Sequence, residues 1–538
     1  IYYLLIVVLF LGFSIIRLNS KQEPQKWTAN FSRYGLLFLL VLILGYFTSR
    51  PGKIAYLDLT KNKINTLHTD VQDIVKKFDG SPVTVTLYTN LFHRRAVMGL
   101  PQNRTGYISL FWERYIRFYP NLQFKYEYYY DIAKGDSTLY KEYPGKNMDE
   151  IAAIRAEIMG IRKSLFKKPS ELDNIETLRA QDLGLLMELE YKGRKSILRA
   201  YEDGSTWPDQ DHTAGSLMRL LRDKDVKATF LTGHFERNPM RFTPRDFGKH
   251  ATMKYNRKSL INKGVDSDTL SIMDKDIPSN LDLLVVADPR SPYSQVETDR
   301  IEKYIADGGN AIFYSEPGKQ FILAPILERI GVQVDSGMIV SPNEHEKPDV
   351  FFNYVTKEGN YMSKEPYFQL FQWYGKFGGS LVNEGAANIT ATPVDGFTVE
   401  PVVYMPGDKN IWIEKGKLVL DSAAPSFSER DGDIRKEGYT IAVKLSRKIN
   451  NREQRIVVAG DADFMSAKLL EQGQMGLAFY NWCLNNKYPV YANNRLPEDR
   501  KFRISDSTAT MMINIYVYLI PVVLLVAAII ILVRRKRK

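Results

Sequence analysis

The sequence predicts a membrane-anchored α/β protein with three transmembrane helices and a large extracytoplasmic region of two α/β domains with mostly parallel sheets. Three observations predict this fold class. Residues 1–16, 34–49 and 511–533 carry no charged side chain. Between the last two stretches, short β-branched and apolar runs alternate with segments of helical spacing, which is typical of βαβ units. The basic residues gather beside the uncharged stretches, where they orient membrane helices.

The uncharged stretches predict transmembrane helices at residues 1–18, 34–50 and 511–533. A membrane-spanning helix needs about 17–25 mainly apolar residues, and the last stretch is long enough. The second is at the short end of that range, but Arg33 and Arg50 flank it and can extend their charged ends to the interface. The first stretch begins with the chain itself.

The charge distribution predicts how the chain is oriented. The net charge is +11, of which residues 1–50 contribute +4 and the tail 534–538 contributes +5, so residues 51–533 carry only +2. This argues against nucleic acid as a partner. The positive-inside bias places the link 19–33 and the basic tail 534–538 in the cytoplasm and residues 51–510 outside it. The first helix then runs inward, so we expect residue 1 to lie within the last helix of a longer membrane protein.

The first extracytoplasmic domain is predicted at residues 51–212. Residues 82–88 and 122–130 read as strands and residues 107–118 between them as a helix, which together form a βαβ unit. Further helices are predicted at residues 69–78, 149–166 and 170–183. Residues 186–191 and 195–201 read as a hairpin around Lys192-Gly193-Arg194.

The second domain is predicted at residues 213–508, with a β-rich insertion at about 340–420. Short apolar runs bounded by turn residues indicate a doubly wound sheet that is covered on both faces. Its strands are predicted at residues 227–231, 281–287, 311–314 and 455–458, and its helices at residues 295–306 and 474–484.

Polar residues follow each of these four strands, at the edge where open α/β sheets bind their ligands. The candidate ligand-binding or partner-binding residues are His234, Glu236, Arg237, Asp288, Arg290, Glu316, Asp461 and Asp463. His234 with Glu236, Asp461 or Asp463 has the chemistry of an acid/base pair or a weak metal site. The favoured alternative is that these residues are turn and N-cap residues, and a pocket that binds without reacting lies between the two. Arg94 and Arg95 are a second candidate anion contact, for which a solvated loop is the favoured interpretation.

Several enzyme motifs are absent from the sequence. No Gly-Lys pair is followed by Ser or Thr, so the chain has no P-loop and is not itself an ABC ATPase. It contains neither a Gly-x-Ser-x-Gly elbow nor a His-Glu-x-x-His helix. The single cysteine, Cys483, excludes an internal disulfide and a multi-cysteine metal site, and it stands at the end of a predicted helix. We therefore predict no catalytic residue, no metal and no cofactor.

Short segments in a shared order resemble a known family. They are Leu57-Asp58-Leu59-Thr60, Thr66-Leu67 and residues 82–88, then residues 231–236, 282–289, 304–313 with Gly308-Gly309, and 457–466, and finally the closing helix with its basic tail. Over about residues 45–538 the chain resembles the GldG-like auxiliary subunits of ABC-2-type, gliding-motility-type transporters. Residues 1–18 resemble the last helix of a GldF-like ABC-2 permease. The resemblance assigns no catalytic residue.

The resemblance implies a non-catalytic, extracytoplasmic component of an ABC-2-type export system in the bacterial inner membrane, with its soluble region in the periplasm. Expected partners are an ABC-2 permease fused ahead of residue 1, a separate ABC ATPase, the lipid bilayer, and an envelope protein or exported substrate. Two alternatives remain open. One is an envelope hydrolase that uses the polar residues of the second domain, and the other is a structural envelope scaffold.

Overall fold

The computed structural model describes residues 12, 27–48, 56–60, 62–343, 345–364, 380–419, 425–449, 451–466, 468, 473–492 and 504–536. The chain divides into two compact units. The smaller is drawn from Ile1–Leu57 and Tyr115–Pro120, and contains the helix Trp27–Thr48. Within it, the Arg117 guanidinium lies over the Tyr56 ring at 3.9 Å. The larger unit, Asp58–Arg114 with Asn121–Lys538, contains every strand of the described chain.

A four-stranded sheet forms the core of the first lobe of the larger unit. Its strands are β1 Val83–Asn90, β2 Leu122–Tyr129, β3 Leu186–Tyr191 and β4 Arg194–Arg199. The order is β2-β1-β3-β4, with β1 parallel to β2 and antiparallel to β3. The predicted βαβ unit and hairpin are both present. Lys192 and Gly193 connect β3 to β4 with positive φ at both positions, as a two-residue hairpin turn requires.

A nine-stranded sheet forms the second lobe. Its strands are β5 Lys227–Thr232, β6 Asp266–Ser271, β7 Leu283–Ala287, β8 Ala311–Tyr314, β11 Val350–Val355, β12 Ser380–Glu384, β14 Thr398–Pro406, β16 Gly438–Ile449 and β17 Arg452–Ala459. Two small sheets pair β9 Val332–Val334 with β13 Ile389–Ala391 and β10 Met338–Val340 with β15 Trp412–Glu414.

The order of the nine-stranded sheet is β12-β11-β14-β16-β17-β8-β7-β5-β6. From β17 to β6 all neighbours are parallel, and from β12 to β17 all are antiparallel. The prediction that the sheets are mostly parallel is therefore wrong, because half of the strand pairings in this sheet are antiparallel. The stretch predicted as a β-rich insertion at about 340–420 contributes β11, β12 and β14 to this sheet.

The parallel strands are covered on both faces. Every residue of β7 and β8 is buried, as expected for strands packed on both sides. On one face, Val286 and Phe313 share a core cluster with Ile301 of the helix Gln295–Ala306. On the other face, the ring centroid of Tyr314 lies 6.4 Å from that of Phe479 in the helix Gly473–Cys483. The doubly wound arrangement predicted for this part of the chain is present.

The helices of the described chain are mostly short. The α-helices are Trp27–Thr48, Thr69–Val75, Ala96–Gly99, Arg104–Gly106, Glu113–Ile116, Thr138–Glu142, Met148–Ile158, Ile175–Ala180, Gln210–Leu220, Gly248–Ala251, Gln295–Ala306, Ala324–Arg329, Lys357–Asn360, Gly473–Cys483, Asp506–Ile513 and Ile520–Lys536. Two π-helical segments, Tyr107–Trp112 and Asn514–Leu519, continue into α-helix.

One helix of the described residues, Asp506–Lys536, is long and apolar enough to cross a membrane. It contains the predicted span at 511–533, and its apolar side chains are exposed. The predicted span at 34–50 overlaps the helix Trp27–Thr48, whose apolar part is the shorter run Phe38–Phe47. The predicted span at 1–18 lies outside the described residues, apart from Gly12. Three transmembrane helices thus remain a prediction.

Candidate functional site

The loops that follow β5, β7, β8 and β17 are joined to one another across the ends of their strands. The backbone N–H of Arg237 donates to the carbonyl of Ala287 at 2.8 Å, and that of Asp288 to Tyr314 at 2.9 Å. The N–H of Ser315 donates to the carbonyl of Ala459 at 2.8 Å. The predicted candidate residues therefore do lie at one edge of the sheet, as their positions after parallel strands indicate.

Arg237 is the centre of this edge. Its side chain is 4% exposed and meets a carboxylate from each of the other three loops. Nε lies 3.2 Å from Oδ2 of Asp288, Nη1 lies 2.5 Å from Oδ1 of Asp463, and Nη2 donates to Oε1 of Glu316. Burial alone lowers the pKa of Arg237, but the three carboxylates raise it overall. The guanidinium stays charged and ties the loops together.

Asp288 accepts from three arginines. Its fully buried Oδ2 lies 3.0 Å from Nη2 of Arg245 and 3.0 Å from Nη2 of Arg290, in addition to Arg237. Arg245 also donates to the backbone carbonyls of Phe235 and Asp288, at 2.9 and 2.8 Å. Asp288 has a φ of +48°, a left-handed conformation that short polar side chains tolerate best. These contacts fix the loop after β7 against the loop after β5.

Glu316, Asp461 and Asp463 form a group of carboxylates whose oxygens lie within 4.8 Å of one another. Burial, and then the charge of Asp463, raises the pKa of Asp461 to about 7. Burial, and then Asp461, raises the pKa of Glu316 well above its usual value. Burial also acts to raise the pKa of Asp463, but Arg237 lowers it overall. The spacing suits a cation, yet Arg237 already donates to two of the three carboxylates.

His234 and Glu236 belong to a second group beside this one. The imidazole Nε2 lies 2.8 Å from Oε1 of Glu297, and Nδ1 lies 3.1 Å from the Ser291 hydroxyl. Glu236 accepts from the backbone N–H of His234 at 2.7 Å and from the Tyr293 hydroxyl at 2.9 Å. The predicted pairing of His234 with Glu236, Asp461 or Asp463 is therefore wrong. The imidazole bonds to a carboxylate of the next helix instead.

The sequence-based candidates thus separate into two sets. Arg237, Asp288, Arg290, Glu316, Asp461 and Asp463 share one network of ion pairs and hydrogen bonds, and His234 and Glu236 belong to the other. The favoured interpretation, that these are turn and cap residues, does not include the ion pairs that most of them form. These ion pairs join side chains from different loops.

Sequence reasoning missed Arg245, Glu297, Tyr293 and Asn383. Glu297 carried a readable signal, because Ser294 three residues before it forms the capping box that starts the helix Gln295–Ala306. Burial acts to raise the pKa of Glu297, but the hydrogen bonds from His234 and Ser294 lower it overall. Arg245 had no such signal, since it lies in a polar loop and meets Asp288 only through the fold.

Large apolar side chains are exposed in the loops at the same edge. We refer to these residues, Phe235, Met240, Phe242, Met273 and Phe321, as the apolar rim. Phe235 is 75% exposed and has a φ of +58°. Both features are unfavourable, because the ring stays in water and a bulky side chain strains the left-handed backbone.

A known family model matches the second lobe. Residues 226–493 match the model of a family described as "ABC-type uncharacterized transport system". The match includes the entire nine-stranded sheet and the helix Gly473–Cys483, and it supports an auxiliary component of an ABC transport system. No curated protein matches the sequence.

Some solved structures resemble parts of the chain. The mmIFT52 N-terminal domain is 14% identical over 48% of this chain and 96% of its own, at a TM-score of 0.32. Alpha-L-fucosidase isoenzyme 2 from Paenibacillus thiaminolyticus is 12% identical over 49% and 34%, at 0.26. A putative thua-like protein from Parabacteroides merdae ATCC 43184 is 11% identical over 51% and 94%, at 0.28. At these TM-scores the likenesses carry no functional assignment.

Proposed function

We propose that the chain is a GldG-like, non-catalytic auxiliary subunit of an ABC-2-type export system, and that its sheet edge binds a protein partner or exported substrate. The observation that carries the proposal is the contrast at this edge. The polar groups are buried and paired with one another, whereas the apolar rim is exposed. Exposed apolar patches framed by polar residues are typical of binding surfaces.

The backbone at Phe235 supports the proposal further. A non-glycine residue in the left-handed region costs about 1 kcal/mol or more. An asparagine at this position would relieve part of that strain and remove an exposed ring. A residue that is unfavourable in both respects is typical of a functional surface, where strain is retained because the side chain is needed.

The membrane arrangement completes the proposal. The chain is anchored in the bacterial inner membrane by helices at 1–18, 34–50 and 511–533, with residues 51–510 in the periplasm. An ABC-2 permease would be its partner in the membrane, and a separate ABC ATPase would bind on the cytoplasmic side. About 30 Å of hydrocarbon separates that ATPase from the soluble region, so coupling passes through the helices. Gliding motility is one process that such a system would serve.

An envelope hydrolase is the second candidate function. One observation favours it: Nε2 of His234 lies 2.8 Å from Oε1 of Glu297, within the hydrogen-bond distance that an acid/base pair requires. Ser291, however, occupies the other ring nitrogen, and the carboxylate of Glu297 caps its own helix. His234→Gln should therefore leave partner binding and export intact. A hydrolytic activity of the purified chain that this substitution abolishes, with folding preserved, would favour the hydrolase.

Affinity isolation of the full-length protein in mild detergent tests the transport role. We expect a P-loop ATPase to be recovered with it, and to be retained when Phe235→Asn is introduced, because the ATPase contact lies across the membrane. An extracytoplasmic partner should be lost from that variant, which should also unfold at a higher denaturant concentration. Phe352→Asn is the matched control, since Phe352 is an exposed phenylalanine on β11, away from the apolar rim.

Two outcomes would contradict the proposal. Recovery without any ATPase, under conditions that preserve other ABC complexes, would overturn the transport role and favour a scaffold. Equal partner recovery with Phe235→Asn and with the control would remove the apolar rim as the binding surface.

A further inference from the structure

A cleft of about 500 Å³ lies between the two lobes, and none of its lining residues belongs to the strand-end network. The first lobe contributes Leu185, Leu186 and Ala200, and the loop after the helix Gly248–Ala251 contributes Lys254 and Tyr255. The same loop is fixed to the first lobe, because Nζ of Lys254 donates to the carbonyl of Ala180 at 2.5 Å. The cleft therefore has walls of mixed apolar and polar residues, with one exposed aromatic ring, and a hydrogen bond joins its two sides.

Arg199 lines this cleft and is only 8% exposed. Its side-chain hydrogen bonds go to neutral amides. Nε lies 3.0 Å from Oε1 of Gln181, which Nη2 also contacts, and Nη1 lies 2.9 Å from Oδ1 of Asn262. No carboxylate of the described residues lies within ion-pair distance of it. A guanidinium has five N–H donors, so one on each of Nη1 and Nη2 is left over.

The neighbouring charges are matched elsewhere. Among the residues that line the cleft, Asp182 pairs with Lys254 at 3.4 Å. Glu202 pairs with His93 at 3.1 Å and with Arg94 at 3.4 Å, and Asp203 pairs with Arg257 at 2.5 Å. The cation beside Arg199 in the fold, Arg219, pairs with Asp266. Arg199 is thus the buried cation of this cleft that has no acidic partner in the described chain.

A buried charge without a counter-ion is unfavourable. Burial, and then the charge of Arg219, lowers the pKa of Arg199 to about 10. Arginine is nonetheless the side chain best suited to carboxylate and phosphate, since its planar fork offers two parallel N–H donors. One residue of the cleft wall, Asp182, lies in the left-handed region with a φ of +57°, and so does the next residue in the chain, Leu183, with a φ of +52°.

We propose that the interlobe cleft is a binding site for a small organic anion. The carboxylate or phosphate of the ligand binds the free N–H groups of Arg199, and its apolar body packs against Leu185, Leu186 and Tyr255. The site is separate from the strand-end network and does not depend on the transport role.

Calorimetric titration of the full-length protein in a non-ionic detergent tests the site. The probes are benzoate, phenyl phosphate, inorganic phosphate and the neutral benzyl alcohol. We expect benzoate or phenyl phosphate to bind at least tenfold more tightly than benzyl alcohol and than inorganic phosphate, because both charge and ring contribute. If benzoate binds more tightly than phenyl phosphate, the charged group of the natural ligand is a carboxylate. If phenyl phosphate binds more tightly, it is a phosphate.

Four variants locate the binding. Arg199→Gln should weaken the better anionic probe at least tenfold, and Arg199→Lys should recover part of the loss. The matched control is Arg94→Gln, an arginine beside the cleft that is 84% exposed and already paired, and it should leave binding unchanged. Tyr255→Ser removes an exposed ring, so it tests the apolar wall even if Arg199→Gln fails to fold.

The results that would overturn the proposal are equally defined. They are no binding of either aromatic anion above the detergent blank, benzyl alcohol binding as tightly as benzoate, or an unchanged affinity in folded Arg199→Gln. If that variant does not fold, unchanged binding in Tyr255→Ser overturns it.

Discussion

Asp461→Asn tests whether the strand-end network is a buried structural element. Asp461 is fully buried, with Oδ1 accepting from the N–H of Asp463 at 2.6 Å and Oδ2 accepting from the amide of Asn383. The substitution keeps this chain of hydrogen bonds. The new amide donates to Oδ1 of Asn383 once the Asn383 side chain reverses. Asn353 must then reverse too, because it now donates to Asn383, and its Oδ1, which has no partner in the present arrangement, accepts from Nδ2 of Asn383.

The magnitude follows from the pKa of Asp461, which is raised from 3.8 to about 7 by burial and by Asp463. Because the folded-state pKa lies above the unfolded one, this carboxyl favours folding fully below pH 3.8, and its contribution is lost as the pH rises through 7. One pKa unit corresponds to about 1.4 kcal/mol, so the full loss is about 4 kcal/mol. An uncharged amide does not suffer this loss.

The assay is urea unfolding of the full-length protein in non-ionic detergent, followed by tryptophan fluorescence at pH 4, 6 and 8. We expect Asp461→Asn and wild type to be similarly stable at pH 4, and the variant to be more stable by up to about 4 kcal/mol at pH 8. A pH-independent difference, or a variant that is less stable at pH 8, would refute the reasoning, since it would mean that Asp461 is a solvated or functionally required carboxylate.

Two further predictions concern other buried ionisable side chains. Arg237→Met should destabilise the fold by about 3–5 kcal/mol in the same unfolding assay, because two buried carboxylates, Asp288 and Asp463, and the partly buried Glu316 lose their common partner. Arg290→Gln, which removes a 43% exposed arginine from the same Asp288, should cost at most about 1 kcal/mol. Equal costs would contradict the central role of Arg237. Burial lowers the pKa of His250 from 6.5 to about 4. The stability that the neutral imidazole contributes is therefore present above pH 6.5 and is lost as the pH falls toward 4. His250→Gln should remove about 3 kcal/mol of this acid-induced loss of stability, and an unchanged pH profile would show that His250 is solvated.

The sequence predicted the parallel half of the second lobe well, because its strands are buried on both faces. The runs at β7 and β8 contain only apolar residues apart from the tyrosine hydroxyl. Polar residues do not alternate along them, so each run is recognised as a strand buried on both faces. The strand β6, Asp-Ser-Asp-Thr-Leu-Ser, was missed because it is a polar, largely exposed edge strand. The antiparallel strand β16 was also missed, although Tyr439, Ile441, Val443 and Leu445 alternate along it.

The candidate site was predicted in position but not in its contacts. Parallel strands bring the residues that follow them to one edge, so Asp288, Glu316 and Asp461 could be placed together. Which carboxylate meets which cation depends on loop conformation. The pairing of His234 with Glu297, and of Asp288 with Arg245, joins residues 63 and 43 positions apart and is set by the fold alone.

Sided thiol labelling tests most directly whether the soluble region works outside the cytoplasm, across the membrane from the ATPase. Single cysteines at Lys21 and Lys357 are introduced in a Cys483→Ser background, although the native thiol is itself buried, which raises its pKa and makes it unreactive. Lys357 is exposed at the start of its short helix, so its accessibility depends on topology and not on folding. In intact spheroplasts an impermeant thiol reagent should label the cysteine at 357 and reach that at 21 only after permeabilisation. Labelling at 21 alone would contradict the proposed topology.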